Sequence, residues 1–186
     1  GESVRQELLR TRDFASFELS ALHGPLSATK GMALFPRRID GHFAMLGRHD
    51  HENIWLLFSN DIYSWERGEV ILQPRWPWEF VQLGNCGSPL EIEEGWLVLT
   101  HGVGSVRNYC LGACLLDKRD PSKVIARSTQ PLLRPGPAAR GGYVPNVAYS
   151  CGALVLGRTL LLPYGVADTY TAFATVSVDA LLECMQ

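Results

Sequence analysis

The most regular feature of the chain is a succession of short apolar runs bounded by glycine, proline, asparagine or aspartate. Runs of this length between turn-forming residues are typical of β-strands. The pattern predicts strands over residues 32–38, 42–48, 53–59, 95–101, 109–116, 153–156, 159–164 and 171–178. Helical periodicity is weak. Residues 2–10 fit either a short helix or a strand, and residues 179–185 predict a short C-terminal helix.

A loose repeat runs along these strands. In four places a strand-like run ends at an aspartate near a turn, and the spacings between these aspartates are 48, 56 and 62 residues. The four are Asp13, Asp61, Asp117 and Asp179. Glycines lead three of the strands, namely Gly41, Gly95 and Gly152. Repeats of this length are typical of four-stranded sheets that stack around an axis, because one such sheet cannot cover both of its apolar faces.

The repeat predicts an all-β fold, with residues 1–186 forming a single propeller-like domain of about three blades, each a four-stranded antiparallel sheet. Three blades do not close a ring. We therefore expect the domain to be incomplete on its N-terminal side, or to be completed by other copies of the chain as a homo-oligomer. A β-sandwich with similar turns is the alternative.

Composition narrows the function classes. The net charge is −2 and the basic residues form no cluster, which argues against a nucleic-acid partner. No apolar run approaches the ~20 residues of a membrane-spanning helix, and residues 1–12 lack the apolar stretch of a signal peptide. The five cysteines include no CxxC pair, so we expect buried, reduced thiols in a cytoplasmic protein.

Several segments taken together resemble glycoside hydrolase family 130, the β-mannoside phosphorylases and related β-mannosidases. These segments are residues 33–48, 53–56, 78–84, 95–103, 143–147 and 162–168, and the resemblance extends from about Asp13 to the C-terminus. It implies a five-bladed β-propeller with the active site at one end of its central channel. Our chain would then be a partial five-bladed propeller with a short C-terminal helix.

The resemblance also implies a reaction. In the phosphorylases, inorganic phosphate attacks the anomeric carbon of a β-mannoside, the configuration inverts, and α-mannose 1-phosphate leaves. In the hydrolases, water replaces phosphate and a catalytic base is needed. The expected partners are a mannose-containing oligosaccharide and phosphate as a possible co-substrate, and we expect no other cofactor and no metal.

Matching the family residue by residue gives four main site candidates. Arg48 corresponds to an arginine whose guanidinium suits phosphate, and His49 follows it. His101 stands where the family has a histidine that contacts phosphate or a sugar hydroxyl, and Asp168 resembles an aspartate that accepts from sugar hydroxyls. The alternatives are a charged surface turn for Arg48 and His49, a turn cap for His101, and an Asx turn with Thr169 for Asp168.

Three further residues complete the predicted site. Tyr143 and Asn146 precede the last blade, and Gln82 stands where the family usually has a lysine. An amide holds a phosphate dianion less strongly than an ammonium group does, so Gln82 favours the hydrolase-like branch or a different acceptor. The tryptophans Trp76 and Trp78 could form a stacking platform for a sugar ring, although packing between blades is the commoner use of such residues.

Two further expectations concern chemistry. The pair His49 and His51 could be read as metal ligands, but zinc needs a third ligand and only the distant His101 is available. The family's catalytic aspartate would fall before Gly1, so we expect the general acid to be absent from these residues, with a loss of roughly 10²–10⁴-fold in rate. A non-catalytic carbohydrate-binding or oligomerising fragment is therefore the alternative function.

Overall fold

The computed structural model of the protein describes residues 4–186. An N-terminal hairpin of β1 (Glu7–Thr11) and β2 (Phe17–Ala21) precedes three antiparallel sheets. The first sheet consists of β3 (Ala33–Leu34), β4 (Phe43–Gly47), β5 (Ile54–Ser59) and β6 (Gly68–Leu72), paired in that order.

The middle sheet consists of β7 (Gln82–Asn85), β8 (Leu90–Glu91), β9 (Trp96–Val103), β10 (Tyr109–Leu116) and β11 (Val124–Arg127). Its strand order is β7-β9-β10-β11, and β8 also pairs with β9. The last sheet consists of β12 (Ala148–Tyr149), β13 (Leu154–Leu156), β14 (Thr159–Val166) and β15 (Tyr170–Ser177). In it β14 pairs with the other three strands, and the helix α1 (Val178–Glu183) follows β15.

Most of the predicted strands are present with shifted ends, and residues 109–116 match β10 in full. The prediction over residues 32–38 is wrong beyond Leu34, because Pro36 has no backbone N–H to continue a ladder. Within residues 2–10, the structure has the strand β1 from Glu7 onwards and no helix among the described residues. The helix α1 confirms the C-terminal prediction, and the Ser177 hydroxyl accepts from the Ala180 N–H to cap it.

Three of the four repeated aspartates play the same structural role, which is to accept hydrogen bonds from backbone N–H groups in a turn. The carboxylates of Asp13, Asp61 and Asp117 each accept backbone N–H groups in the turn that follows β1, β5 and β10 respectively. Asp179 instead lies in the first turn of α1 and pairs with Arg158. The three carboxylates therefore stabilise the turns that follow β1, β5 and β10 in the same way.

The sheets stack face to face in chain order. A first core cluster fills the space between the first and middle sheets and includes Leu46, Leu56 and Trp96. A second cluster lies between the middle and last sheets and α1, where Leu97 and Leu111 are fully buried. Successive residues of β9 point to opposite faces, so both faces of the middle sheet are buried and all eight residues of β9 are inaccessible.

The cysteines only partly follow the prediction. All five are free thiols, and Cys86, Cys110 and Cys114 are buried among apolar residues. The prediction is wrong for Cys151 and Cys184, which are exposed because they lie in a turn and at the end of α1. In the part of the chain that the structure describes, no helix has the length and apolar character needed to cross a membrane.

Candidate functional site

A hollow of about 390 Å³ lies where the ends of the three sheets converge. Its walls are Lys30, Arg48, His51, Gln82, His101, Tyr109 and Tyr149. All three sheets contribute, since Arg48 directly follows β4, Gln82 and His101 belong to the middle sheet, and Tyr149 belongs to β12. None of these wall residues is a carboxylate, so the charged groups that face the hollow are cationic.

His101 is the centre of this arrangement. It is only 3% exposed, its ring stacks on Tyr109 with a centroid separation of 6.2 Å, and Tyr149 meets it edge-on at 5.1 Å. The Nε2 atom lies 3.0 Å from Arg48 Nη1 and 3.3 Å from Gln82 Nε2. The two aromatic rings and two polar side chains therefore hold the imidazole in one orientation.

The protonation of His101 follows from these partners. Burial first, and then the nearby charge of Arg48, lower the pKa of His101 to about 4. The imidazole is thus neutral at pH 7, and because a guanidinium has only donors, Nε2 must accept from Arg48. We therefore assign the ring proton to Nδ1, which faces Cys86 Sγ at 3.6 Å.

Gly84 makes room for the contact between Arg48 and His101. It lies directly opposite His101 in the β7–β9 ladder. A Cβ atom at this position would clash with His101 Cε1, and would lie 2.8 Å from His101 Nε2 and 3.2 Å from Arg48 Nη1. Any other residue in place of Gly84 would displace one or both side chains.

Lys30 brings a second cation into the hollow. It precedes Gly31, whose φ of 82° allows a tight turn. The hydroxyl of Thr29 donates to the Arg48 carbonyl at 2.7 Å and ties this turn to the end of β4. An anion in the hollow would therefore meet Lys30 and Arg48 together.

The structure places the predicted site residues in two groups. Arg48, Gln82 and His101 share the hollow. His49 does not, because its half-buried ring turns away and packs edge-on against Trp55 at 5.4 Å. Its neighbour His51 lines the hollow instead. Among the residues that the structure describes, no three histidine, cysteine or acidic side chains lie close enough to hold a metal ion.

Asp168, Tyr143 and Asn146 lie outside the walls of the hollow. Asp168 is exposed at the tip of the β14–β15 turn, and Tyr143 is 86% exposed. Asn146 acts through its backbone, since its carbonyl accepts from the Tyr109 N–H at 2.9 Å and so fixes the start of β10. The Asx turn suggested for Asp168 is absent from the described residues, where the Thr169 hydroxyl donates to the Ala167 carbonyl.

Strained turns mark the same end of the sheets. In the β9–β10 turn, Val106 and Arg107 have φ values of 58° and 52°, and in the β14–β15 turn Ala167 and Asp168 both have φ of 50°. Two successive positive φ values are typical of type I′ hairpin turns, which favour asparagine and glycine. Other residues in this region cost of order 1–3 kcal/mol each and are concentrated at functional sites.

Four wall residues escaped the sequence reasoning as site residues: Lys30, His51, Tyr109 and Tyr149. The strand pattern could have placed Tyr109 near His101. Tyr109 lies two positions from Leu111, the residue that pairs with His101, so its side chain is on the same face of the sheet as that of His101. Tyr149 had none, since the two-residue strand β12 is too short to give a pattern.

Comparison with known proteins agrees with this geometry. Glycoside hydrolase family 130, described as β-1,4-mannooligosaccharide phosphorylase, matches residues 5–186. The chain is 40% identical over 151 residues to a 1,2-β-oligomannan phosphorylase of Thermoanaerobacter sp., which covers 80% of this chain and 51% of that protein. It is 32% identical over 192 residues to a β-1,2-mannobiose phosphorylase of Listeria innocua, covering 98% of this chain and 53% of that one.

The fold of a solved relative matches as well. The structure of β-1,2-mannobiose phosphorylase from Listeria innocua in complex with β-1,2-mannobiose superimposes with a TM-score of 0.88 at 32% identity, over 96% of this chain and 52% of that one. The chain spans about half the length of the curated relatives it matches. Since the family match covers nearly the whole of it, the chain belongs to glycoside hydrolase family 130.

Proposed function

We propose that the chain forms the phosphate-binding part of a β-mannoside phosphorylase. The observation that carries the proposal is the hollow itself, in which Arg48 and Lys30 face a space whose walls contain no carboxylate. A guanidinium pairs with two phosphate oxygens at once, and an ammonium group adds a point charge. In this reaction phosphate attacks the anomeric carbon of a β-mannoside and α-mannose 1-phosphate leaves.

His101 acts on phosphate through Arg48 in this scheme. Because its Nε2 accepts from Arg48 Nη1 at 3.0 Å, the imidazole orients the guanidinium and leaves the remaining Arg48 donors for the anion. Tyr149 is suited to donate to phosphate or a sugar hydroxyl, since burial raises its pKa to about 12 and keeps its hydroxyl protonated. Lys30 supplies the cation that Gln82 lacks, which favours phosphate over water as the attacking group.

Asp168 and Tyr143 are proposed to contact the sugar from the rim. Both lie on segments that are tied to each other, because the Tyr143 N–H donates to the Thr169 hydroxyl at 3.1 Å. An exposed carboxylate can accept from two neighbouring hydroxyls of mannose. The substrate is then a mannose-containing oligosaccharide that enters from the side of the strained turns.

The leaving mannoside oxygen must also be protonated, and none of the wall residues is a carboxylic acid. We propose that the proton donor is a carboxylic acid outside the walls of the hollow. A non-catalytic carbohydrate-binding role is the second candidate, and the same lack of a carboxylate in the walls of the hollow favours it.

The wider assembly is proposed to be a five-bladed β-propeller of which this chain forms about three blades. Apolar side chains on the outer face of the last sheet support this, since Phe173 is 69% exposed and Leu156 60%. The hairpin exposes Leu9 and Leu19 at the other end of the stack, each at 59%. Such faces are covered by further blades or by a second copy of the chain. The free thiols fit a cytoplasmic protein.

Calorimetric titration of the chain with phosphate tests the first step of the proposal. We expect Arg48→Ala to lose about 1.5–3 kcal/mol of binding free energy, because a charged hydrogen bond is removed, and Lys30→Ala to weaken binding as well. Arg38→Ala is the matched control, since Arg38 stacks on Phe43 and does not line the hollow. Equal phosphate affinity in the wild-type chain and Arg48→Ala would refute the assignment.

Product analysis tests the second step. The chain is incubated with β-mannobiose and phosphate, and α-mannose 1-phosphate is followed by phosphorus NMR. We expect phosphate binding with turnover at least 10²-fold below that of a full-length relative, because no wall residue of the hollow is a carboxylic acid that could protonate the leaving group. Turnover equal to that of the relative would show that the proton donor lies among the residues present.

A further inference from the structure

Cys86 is a buried thiol that has no part in the phosphate chemistry proposed above. It directly follows β7, the strand that contributes Gln82 to the hollow, and only 2% of the residue is exposed. It is not among the walls of the hollow. Its sulfur nevertheless lies 3.6 Å from Nδ1 of His101, the residue at the centre of the site.

The two ring nitrogens of His101 face different partners. Nε2 lies 3.0 Å from Nη1 of Arg48, a group that can only donate, whereas Nδ1 faces the sulfur of Cys86. In a neutral imidazole one nitrogen carries the proton and the other accepts, and the partners of the two nitrogens set the tautomer. Cys86 therefore contacts the nitrogen whose protonation decides whether Nε2 can accept from Arg48.

The thiol is suited to accept the Nδ1 proton. Burial raises the pKa of Cys86 to about 12, so the group is an uncharged thiol at pH 7, and its sulfur remains a weak acceptor. If the thiol donated to Nδ1 instead, the ring proton would be on Nε2 and would face the donors of Arg48. Burial and the charge of Arg48 lower the pKa of His101, and a hydrogen bond to the Asn85 carbonyl opposes them, so this carbonyl is a second acceptor near the ring.

The sulfur is fixed in position by the last sheet. The Ser150 N–H donates to it, and this hydrogen bond partly offsets the effect of burial on the pKa of the thiol. Ser150 is itself only 2% exposed, and its hydroxyl donates to the Pro163 carbonyl of β14 at 2.7 Å. Cys86 thus connects the middle sheet, which carries His101, to the last sheet.

Close backbone packing beside Cys86 supports this connection. The next residue, Gly87, has a φ of 80°, and a Cβ atom there would clash with the Cys151 carbonyl oxygen and lie 2.8 Å from the Cα atom of Gly152. The two segments therefore meet backbone against backbone. Any movement of Cys86 away from His101 would disturb this packing.

We propose that Cys86 is a positioning residue of the phosphate site: its sulfur accepts the Nδ1 proton of His101 and so selects the tautomer in which Nε2 accepts from Arg48. The contacts run from the last sheet to the anion through Ser150, Cys86, His101 and Arg48. Cys86 itself touches neither phosphate nor sugar in this scheme. The inference rests on the proposed function for the anion, but the tautomer is a property of the chain without ligand.

Nitrogen NMR of the whole chain with labelled histidines measures the tautomer, because protonated and unprotonated ring nitrogens have different chemical shifts. We expect the His101 proton on Nδ1 in the wild-type chain at pH 7, and the His101 signals are identified by their loss in His101→Gln. Cys86→Ala should change the tautomer ratio toward Nε2–H by about two- to tenfold, the factor that one neutral hydrogen bond contributes to an equilibrium. Cys86→Ser should retain part of the wild-type preference, because a hydroxyl also accepts.

Cys114→Ala is the matched control. Cys114 is also 2% exposed in the middle sheet and burial also raises its pKa to about 12, but it packs in the core cluster between the first and middle sheets. Each change removes one buried sulfur, so thermal melts should show a similar loss of Tm in both. Only Cys86→Ala should alter the tautomer and weaken phosphate binding in calorimetric titration, by about two- to tenfold.

A proton on Nε2 in the wild-type chain would overturn the inference without any variant. An unchanged tautomer in Cys86→Ala, or an equal change in Cys114→Ala, would overturn it as well. If Cys86→Ala does not fold, Cys86→Val removes the acceptor while keeping most of the volume. A tautomer shift in a chain that binds no phosphate refutes the proposed function alone, and phosphate binding with an unchanged tautomer refutes the role of Cys86 alone.

Discussion

Gly84→Ala is the most direct perturbation of the site, because it adds one methyl group between the two side chains that define the hollow. The new Cβ would clash with His101 Cε1 and lie 3.2 Å from Arg48 Nη1. His101 cannot easily retreat, since Tyr109 stacks on it, Tyr149 meets it edge-on, and only 3% of the residue is exposed.

The magnitude follows from two effects. Overpacking a buried site costs about 1–3 kcal/mol of folding free energy, which for a domain of this size lowers Tm by about 2–4 °C per kcal/mol. Displacing the imidazole also breaks its hydrogen bond to the Arg48 guanidinium, worth about 1.5–3 kcal/mol. If half of that free energy, about 0.8–1.5 kcal/mol, is lost from anion binding, phosphate affinity falls about 4- to 12-fold, since each factor of ten corresponds to about 1.4 kcal/mol.

Calorimetric titration with phosphate and a thermal melt measure the two effects on one sample. Gly136→Ala is the control, because a Cβ at Gly136 meets no atom within 4 Å and its φ of −80° suits any residue. We expect the control to resemble the wild-type chain in both measurements. A Gly84→Ala chain with wild-type Tm and wild-type phosphate affinity would refute the account of the hollow.

Three further predictions test other parts of the structure. His101→Gln should flatten the pH dependence of the free energy of unfolding. The unfolded histidine takes up a proton below about pH 6.5 and the folded one only near its pKa of about 4, so the free energy of unfolding of the wild-type chain should fall as the pH drops from 6.5 to 4. Urea melts measure this, and parallel curves for the wild-type chain and the variant would contradict the assignment. Glu79→Ala should lower the free energy of unfolding by about 3–5 kcal/mol, because it leaves Arg127 buried without its partner. Glu94→Ala is the control, since it removes an exposed ion pair with Arg158 and should cost under about 1 kcal/mol. Equal losses in urea melts would contradict the role of Glu79 in holding its turn to β11. A thiol reagent should label Cys151 and Cys184 rapidly in the native chain and spare Cys86, whose thiol is buried with a pKa raised to about 12; mass spectrometry that finds Cys86 modified first would contradict its burial.

The sequence predicted the strands well wherever burial gives a clear pattern. β10 was predicted in full because both of its faces are buried and its apolar run is unbroken. The prediction over residues 32–38 was too long because Pro36 ends the ladder. Gly152 precedes the short strand β13, and the longer strand β14 follows Gly157.

The site was harder to predict than the fold. Arg48, Gln82 and His101 were named from the family resemblance, and the structure brings all three to the walls of one hollow. Lys30 and His51 lie in turns, where side-chain direction depends on backbone angles such as the φ of 65° at His51 and is not visible in a pattern of apolar residues. His49 was placed in the site because it adjoins Arg48, but neighbouring residues point in different directions.

The double burial of the middle sheet limits how the site can change. Strand β9 carries His101 and has no residue that faces solvent, so every substitution along it disturbs a packed interface. We expect substitutions to be tolerated best in the turns that leave the sheet, including the one that bears Val106, which is 85% exposed. These segments can therefore change while His101 and the rings that hold it keep their positions.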